Sequence, residues 1–129
     1  MNNVRYNYLY RDASNYLQRG AVLFADANKF SLAEMENRLR LALMSDGTFA
    51  AHQVRLPELF LYVEGAPSPD DHCLHEFFGL ESTADQPDDQ FNRSFLDFLD
   101  EVEGASREGW MGFDPHNSTC IRRYFRFSP

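Results

Sequence analysis

The stretch Pro69-Asp70-Asp71-His72-Cys73-Leu74-His75-Glu76-Phe77-Phe78 holds two of the four histidines, one of the two cysteines and three carboxylates. Such residues can ligate a metal or form a thiol–imidazole pair. On a helix, His72, His75 and Glu76 would fall at i, i+3 and i+4 and share one face. On a strand, His72, Leu74, Glu76 and Phe78 share one face, and Cys73, His75 and Phe77 share the other. His72 and Glu76 would then lie ~13 Å apart, too far to share an ion.

The surroundings favour the strand. Leu59-Phe60-Leu61-Tyr62-Val63 is rich in β-formers, and residues 64–71 are turn formers. Together they predict a long-looped hairpin running from 59 to about Leu80. The order His72-x-x-His75-Glu76 matches neither zinc-helix signature. No catalytic residue, metal or cofactor is therefore expected. The alternative is a small metal-dependent or thiol hydrolase using the 72–76 segment, with His52, Cys73, His75 and Glu76 as its working groups. Cys73 and His75 would be the ligands of a metal form, with His52 or His116 brought in by folding.

The elements around this stretch are readable from periodicity. Val4, Tyr6, Tyr8 and Tyr10 alternate, which predicts a strand. Residues 11–15 read as a turn, and Ala21–Ala25 as a second, more buried strand after Gly20. Ser31 with Glu34 forms a capping box, Phe30 and Met35 suit a hydrophobic staple, and Leu32, Met35, Leu39, Ala42 and Leu43 make an apolar stripe. Glu34–Arg38 and Glu36–Arg40 are spaced as i,i+4 pairs, and Gly47 is placed to end the helix. Thr48–Leu56 is ambiguous. A second helix is expected to start in Asp85-Gln86-Pro87-Asp88-Asp89, carry Phe91, Phe95, Phe98, Leu99 and Val102 on its apolar face, and close at Gly104. Residues 121–127, with arginines interleaved among aromatics, read as an edge strand.

Composition bounds the rest. A chain of 129 residues, 43% hydrophobic and 15% aromatic, suits one globular domain, with 111–129 as a tail or extra strand. No apolar run is long enough to span a membrane, and the first residues lack the pattern of a signal peptide. Two cysteines are too few for a disulfide framework, so a cytoplasmic protein with reduced thiols is expected. There is no phosphate-cradling glycine loop and no nucleophile elbow.

Charge is unevenly spread. The net is −8, yet residues 64–103 carry twelve carboxylates against one base, Arg93, while both flanks are mildly basic. A chain with this balance repels phosphates, so direct nucleic-acid binding is not expected.

The opening Tyr8-Leu9-Tyr10-Arg11-Asp12-Ala13-Ser14-Asn15-Tyr16, followed by Ser31-Leu32, Pro57-Glu58-Leu59-Phe60 and His75-Glu76-Phe77, resembles a group of small bacterial proteins whose activity is uncharacterised. The resemblance covers about residues 6–80. It implies the order of the elements and no chemistry.

The expected fold is α+β: a mostly antiparallel sheet of four or five strands with two principal helices packed on one side. The expected function is non-enzymatic. An acidic surface would meet a basic protein surface, one that otherwise holds nucleic acid, as in an inhibitor or immunity-type protein of a bacterial or phage conflict system. The residues expected to carry it are Asp70, Asp71, Asp88, Asp89, Asp97, Asp100 and Glu101. Besides the hydrolase, a self-associating subunit, basic ends against acidic middles, is the other alternative.

Overall fold

In the computed structural model, which describes residues 2–11, 15–26, 30–59 and 74–110, the alternating tyrosines form β1 (Asn3–Arg11). Val4, Tyr6, Tyr8 and Tyr10 are all buried on one face. β1 pairs antiparallel with β2 (Leu17–Phe24), in register from Val4 opposite Phe24 to Arg11 opposite Leu17. The second strand thus begins before Gly20, earlier than its apolar run suggests.

β4 (His75–Thr83) lies on the other side of β1, and β3 (Thr48–Phe49) flanks it, giving the order β2-β1-β4-β3. The part of the central stretch from His75 onward is a strand, as expected, and β4 runs past Leu80 to Thr83; residues 69–73 lie outside the described residues. Its partners among the described residues are β1 and the two residues of β3, drawn from the ambiguous 48–56 region. Leu59 belongs to no strand, and residues 60–63 lie outside the described residues. A bulge at Phe78 sets Asn7 opposite Gly79 but Tyr8 opposite Phe77. It turns Phe78 outward and lets Phe77 and Leu80, three residues apart, both face inward.

The first helix, α1 (Leu32–Ala42), has the expected capping box: Glu34 N donates to Ser31 Oγ at 3.1 Å and Ser31 N to Glu34 Oε1 at 3.0 Å. Because Glu34 is engaged there, Arg38 turns away from it and grips Glu103 at 2.7 and 3.1 Å. Glu36–Arg40 forms as spaced, at 2.9 Å. The helix stops at Ala42, not at Gly47. Leu43 goes extended and buried, and Gly47, at φ +81°, serves the turn into β3.

The second helix differs most from expectation. α2 spans Phe95–Glu108, with Ser94 and Asp97 as a reciprocal capping box at 3.1 Å each way. Residues 85–89, which carry every local mark of a helix start, instead pass from β1, where Asn3 Nδ2 donates to Asp85 O at 2.9 Å, to the free edge of β2, which Asp88 and Asp89 reach. Asp88 N donates to Leu23 O at 3.0 Å, Leu23 N donates to Asp88 Oδ1 at 2.8 Å, and Phe95 N donates to Ala25 O at 2.7 Å. The edge amide of Leu23 claims the carboxylate that a helix dipole would have used. Phe91 is therefore off the helix. Gly104 lies inside it, and Gly109, at φ +97°, ends it.

Replacing Ser94 by Ala should cost about 1 kcal/mol, seen as a lower urea midpoint with an unchanged slope. Asp85→Ala, at the position where the sequence suggested the start, should change stability by less than ~0.5 kcal/mol.

Both helices and the inner sheet face close one core. Tyr6 is central, with the rings of Phe98 at 5.0 Å and Phe77 at 5.2 Å. Trp110 Nε1 donates to Ala42 O at 2.9 Å, satisfying a carbonyl of the last turn of α1.

Candidate functional site

α2 presents its apolar residues Phe95, Phe98, Leu99, Val102 and Ala105 to the core. The 3.6-residue repeat then points Asp97, Asp100, Glu101 and Glu108 to the opposite side, with Arg107 as the base among them. Asp97 is exposed and uses one oxygen in the capping box. The side chain of Asp100 is 76% exposed and 3.9 Å from Arg38. An open groove of about 360 Å³ runs along this face, lined by Gln53, Glu101, Gly104, Ala105 and Glu108. Asp85 and Asp88 are exposed on the preceding segment.

Two of the expected surface acids are occupied inside the molecule. Asp89 is 6% exposed and receives Arg93 Nε at 3.0 Å and Nη2 at 2.9 Å. Glu101 bridges Arg93 and Arg55. Arg93 also donates to the carbonyls of Val54, at 2.7 Å, and Arg55, at 3.0 Å. All five guanidinium N–H groups are thus satisfied. Arg55, at the end of a 3-10 turn over Ala51–Val54, takes a left-handed φ of 57°. The guanidinium of Arg93 sits over Phe98 at 5.4 Å and Phe24 at 5.6 Å, and that of Arg55 over Phe91 at 4.4 Å. Desolvation pushes the Asp89 carboxyl up, but the hydrogen bonds and charge of Arg93 outweigh it, and it titrates below its ordinary value. Desolvation likewise works against the Arg93 charge and is outweighed by Asp89 and Glu101.

The groups considered for chemistry do not converge. His75 and Glu76 face opposite sides of β4. His75 is fully buried, packed on Tyr10 at 5.4 Å, and its Nε2 accepts from Leu59 N at 2.9 Å. Glu76 is on the outer face, where Arg11 holds it at 2.9 Å. On that face Arg19 of β2 stacks on Phe78 of β4 at 5.1 Å, crossing above Leu9 of β1, which is buried. His52 is buried in the 3-10 turn. Cys73, His72, His116, Cys120, Asp70, Asp71 and the 121–127 segment lie outside the described residues.

A half-buried acid with both carboxyl oxygens out of water, which sequence reasoning passed over, lies nearby. Glu58 is a neighbour of Tyr8, whose hydroxyl donates to Pro57 O at 2.5 Å. Burial pushes the Glu58 carboxyl up to about 8. Nothing in Pro57-Glu58-Leu59 signals this, whereas Arg93 was conspicuous as the lone base of an acidic stretch.

No protein-family model, curated protein or solved structure matches this chain. Among the described residues no helix is long and apolar enough to cross a membrane, and no three His, Cys, Asp or Glu side chains gather as metal ligands would.

Proposed function

We propose that this protein acts by binding, offering the outward face of α2 and the segment before it to a basic surface on another protein. One observation carries the reading. The arginines that reach α2 from other segments are held most closely by other acids, Arg38 by Glu103 at 2.7 Å against 3.9 Å to Asp100, and Arg55 and Arg93 by Glu101, while Asp97 and Asp100 stay exposed to water. Internal pairing therefore leaves the outward face with Asp97, Asp100 and Glu108 exposed against one base, Arg107, a net negative surface. Like charge gathered this way weakens a compact fold, and a complementary partner offsets that cost.

A basic partner surface that otherwise holds nucleic acid has the matching chemistry. A small acidic inhibitor or immunity-type protein of a bacterial or phage conflict system has this profile, and we take that as the biological setting by analogy. The test is capture from the cells that make the protein, with wild type and Asp97→Lys/Asp100→Lys as bait. Both positions are exposed, but Asp97 also accepts from Ser94 N, so the reversed bait gives up half of the capping box at a cost of about 1 kcal/mol and is used only after its circular dichroism matches wild type. A basic protein retained by wild type and lost from the reversed bait is the expected result. Retention by both baits contradicts the proposal.

A further inference from the structure

Residues 57–59 lie across the inner face of the sheet and are held at both ends. Tyr8 of β1 donates its hydroxyl to Pro57 O at 2.5 Å, and His75 of β4 accepts Leu59 N–H through Nε2 at 2.9 Å. The Leu59 side chain rests on Gly20 of β2 so closely that a Cβ there would be 2.9 Å from both of its methyl carbons. Between these anchors sits Glu58. Both carboxyl oxygens are buried and have no hydrogen-bond partner, and no cation pairs with them among the described residues. An ionised carboxylate cannot stay so without a large desolvation cost, whereas a neutral one can.

We propose that residues 57–59 are a proton-operated latch, lying against the sheet while Glu58 is neutral and lifting from it when that carboxyl ionises. Pro57 is one wall of a cleft of about 290 Å³ whose other walls are Ala21, Val22, Asp88, Asp89 and Gln90. Lifting the latch opens that cleft beside Asp88. The latch rests on contacts distinct from those of the α2 face and stands without the binding role.

Among the described residues, the titratable groups around it come from three elements: Tyr8 from β1, His75 from β4 with Tyr10 packed on it, and Asp88 and Asp89 from the segment along β2. The charge of Asp88 and that of Glu58 both discourage ionisation of Tyr8, after the larger effect of burial. His75 opposes closure when it gains a second proton, because Nε2 can then no longer accept. Its effect is shared by any variant at Glu58 and cancels in a comparison.

The closed form holds the Glu58 proton until about pH 8, against 4.5 for an exposed carboxyl. A raised native value means that the stabilisation is fully present below the open-state value and is lost as pH rises through the closed-state one. Relative to a variant with no charge to gain, opening should rise up to about tenfold per pH unit between ~4.5 and ~8, then level off.

Amide hydrogen exchange at Leu59 tests this, in wild type, Glu58→Gln and Glu58→Leu. The ratio of Leu59 protection in wild type to that in either variant should fall by up to about tenfold per pH unit and then flatten near pH 8. Within wild type alone, over the pH range in which His75 is neutral and can accept from Leu59 N, Leu59 should lose protection relative to the amide of Leu39 in α1 as pH rises towards 8, which covers the case in which neither variant folds. A ratio that stays constant with pH, or a parallel loss at Leu59 and Leu39, overturns the proposal.

Discussion

Replacing Arg93 by Met should lower stability by roughly 3–5 kcal/mol and the melting temperature by roughly 10–20 °C. The side chains of Arg93 and Asp89 are 5% and 3% exposed. Removing the guanidinium leaves the Asp89 carboxylate buried without its bidentate partner, and strands the carbonyls of Val54 and Arg55 as well. A stranded buried group carries its full desolvation cost. Lys at this position keeps the charge but has three donors where five are used, so its loss should be intermediate. Arg93→Met combined with Asp89→Leu removes both charges and should recover much of the deficit. Asp89 titrates below its ordinary value when folded. The pair's contribution is therefore present above about pH 4 and fades as pH falls through the lowered native value. Calorimetry across this series is the measurement. A melting point for Arg93→Met within ~2 °C of wild type would show that the network adds little.

Truncating Phe98 to Ala should cost ~3–5 kcal/mol, a large share of the ~5–15 kcal/mol expected of a domain. Phe98 is fully buried, stacked on Phe24 at 4.6 Å and edge-on to Tyr6 at 5.0 Å. Phe91→Ala should cost only about 1 kcal/mol, because the residue is 38% exposed and its ring serves mainly as a platform for Arg55. Sequence periodicity put both rings on one helix face, so guanidinium denaturation of the two variants separates the readings. Equal losses would return Phe91 to the core. Arg93 touches the Phe98 ring, so losses at those two positions should fall short of adding.

What was legible beforehand was local. Alternation of Val4, Tyr6, Tyr8 and Tyr10 demands a strand with one buried face, and Ser31 with Glu34 closes a capping box within four residues. Both formed as read. What failed was any signal whose owner was wanted elsewhere. Asp88 looked like a helix-starting acid until the edge of β2 engaged it. Glu34 looked like a partner for Arg38, yet it was already capping Ser31. Ser94-x-x-Asp97 carries the same capping signature as Ser31-x-x-Glu34 and was readable, but the Pro87 cluster stood ahead of it. The bulge at Phe78 has no sequence mark, and it alone brings Phe77 and Leu80 to one face.

The acidic middle was equally plain as composition and less plain as surface. Twelve carboxylates against one base could not show that the base would be buried, or that Asp89 and Glu101 would be drawn in after it. Nor could Pro57-Glu58-Leu59 show that three long-range contacts would press a carboxyl out of water. Each of these outcomes depends on which segments meet, and no short window of sequence contains that.

The binding role is tested most directly by the association rate constant between this protein and the captured basic partner, measured from low to high salt. Steering by exposed charge is screened beyond ~10 Å at 0.1 M salt and ~3 Å at 1 M. For wild type the rate constant should be high at low salt and fall steeply as salt rises. Asp97→Lys/Asp100→Lys should associate roughly tenfold or more slowly at low salt and show a much flatter dependence. Identical rate constants for the two proteins at every salt concentration would contradict the account and leave the outward face of α2 as solvated surface.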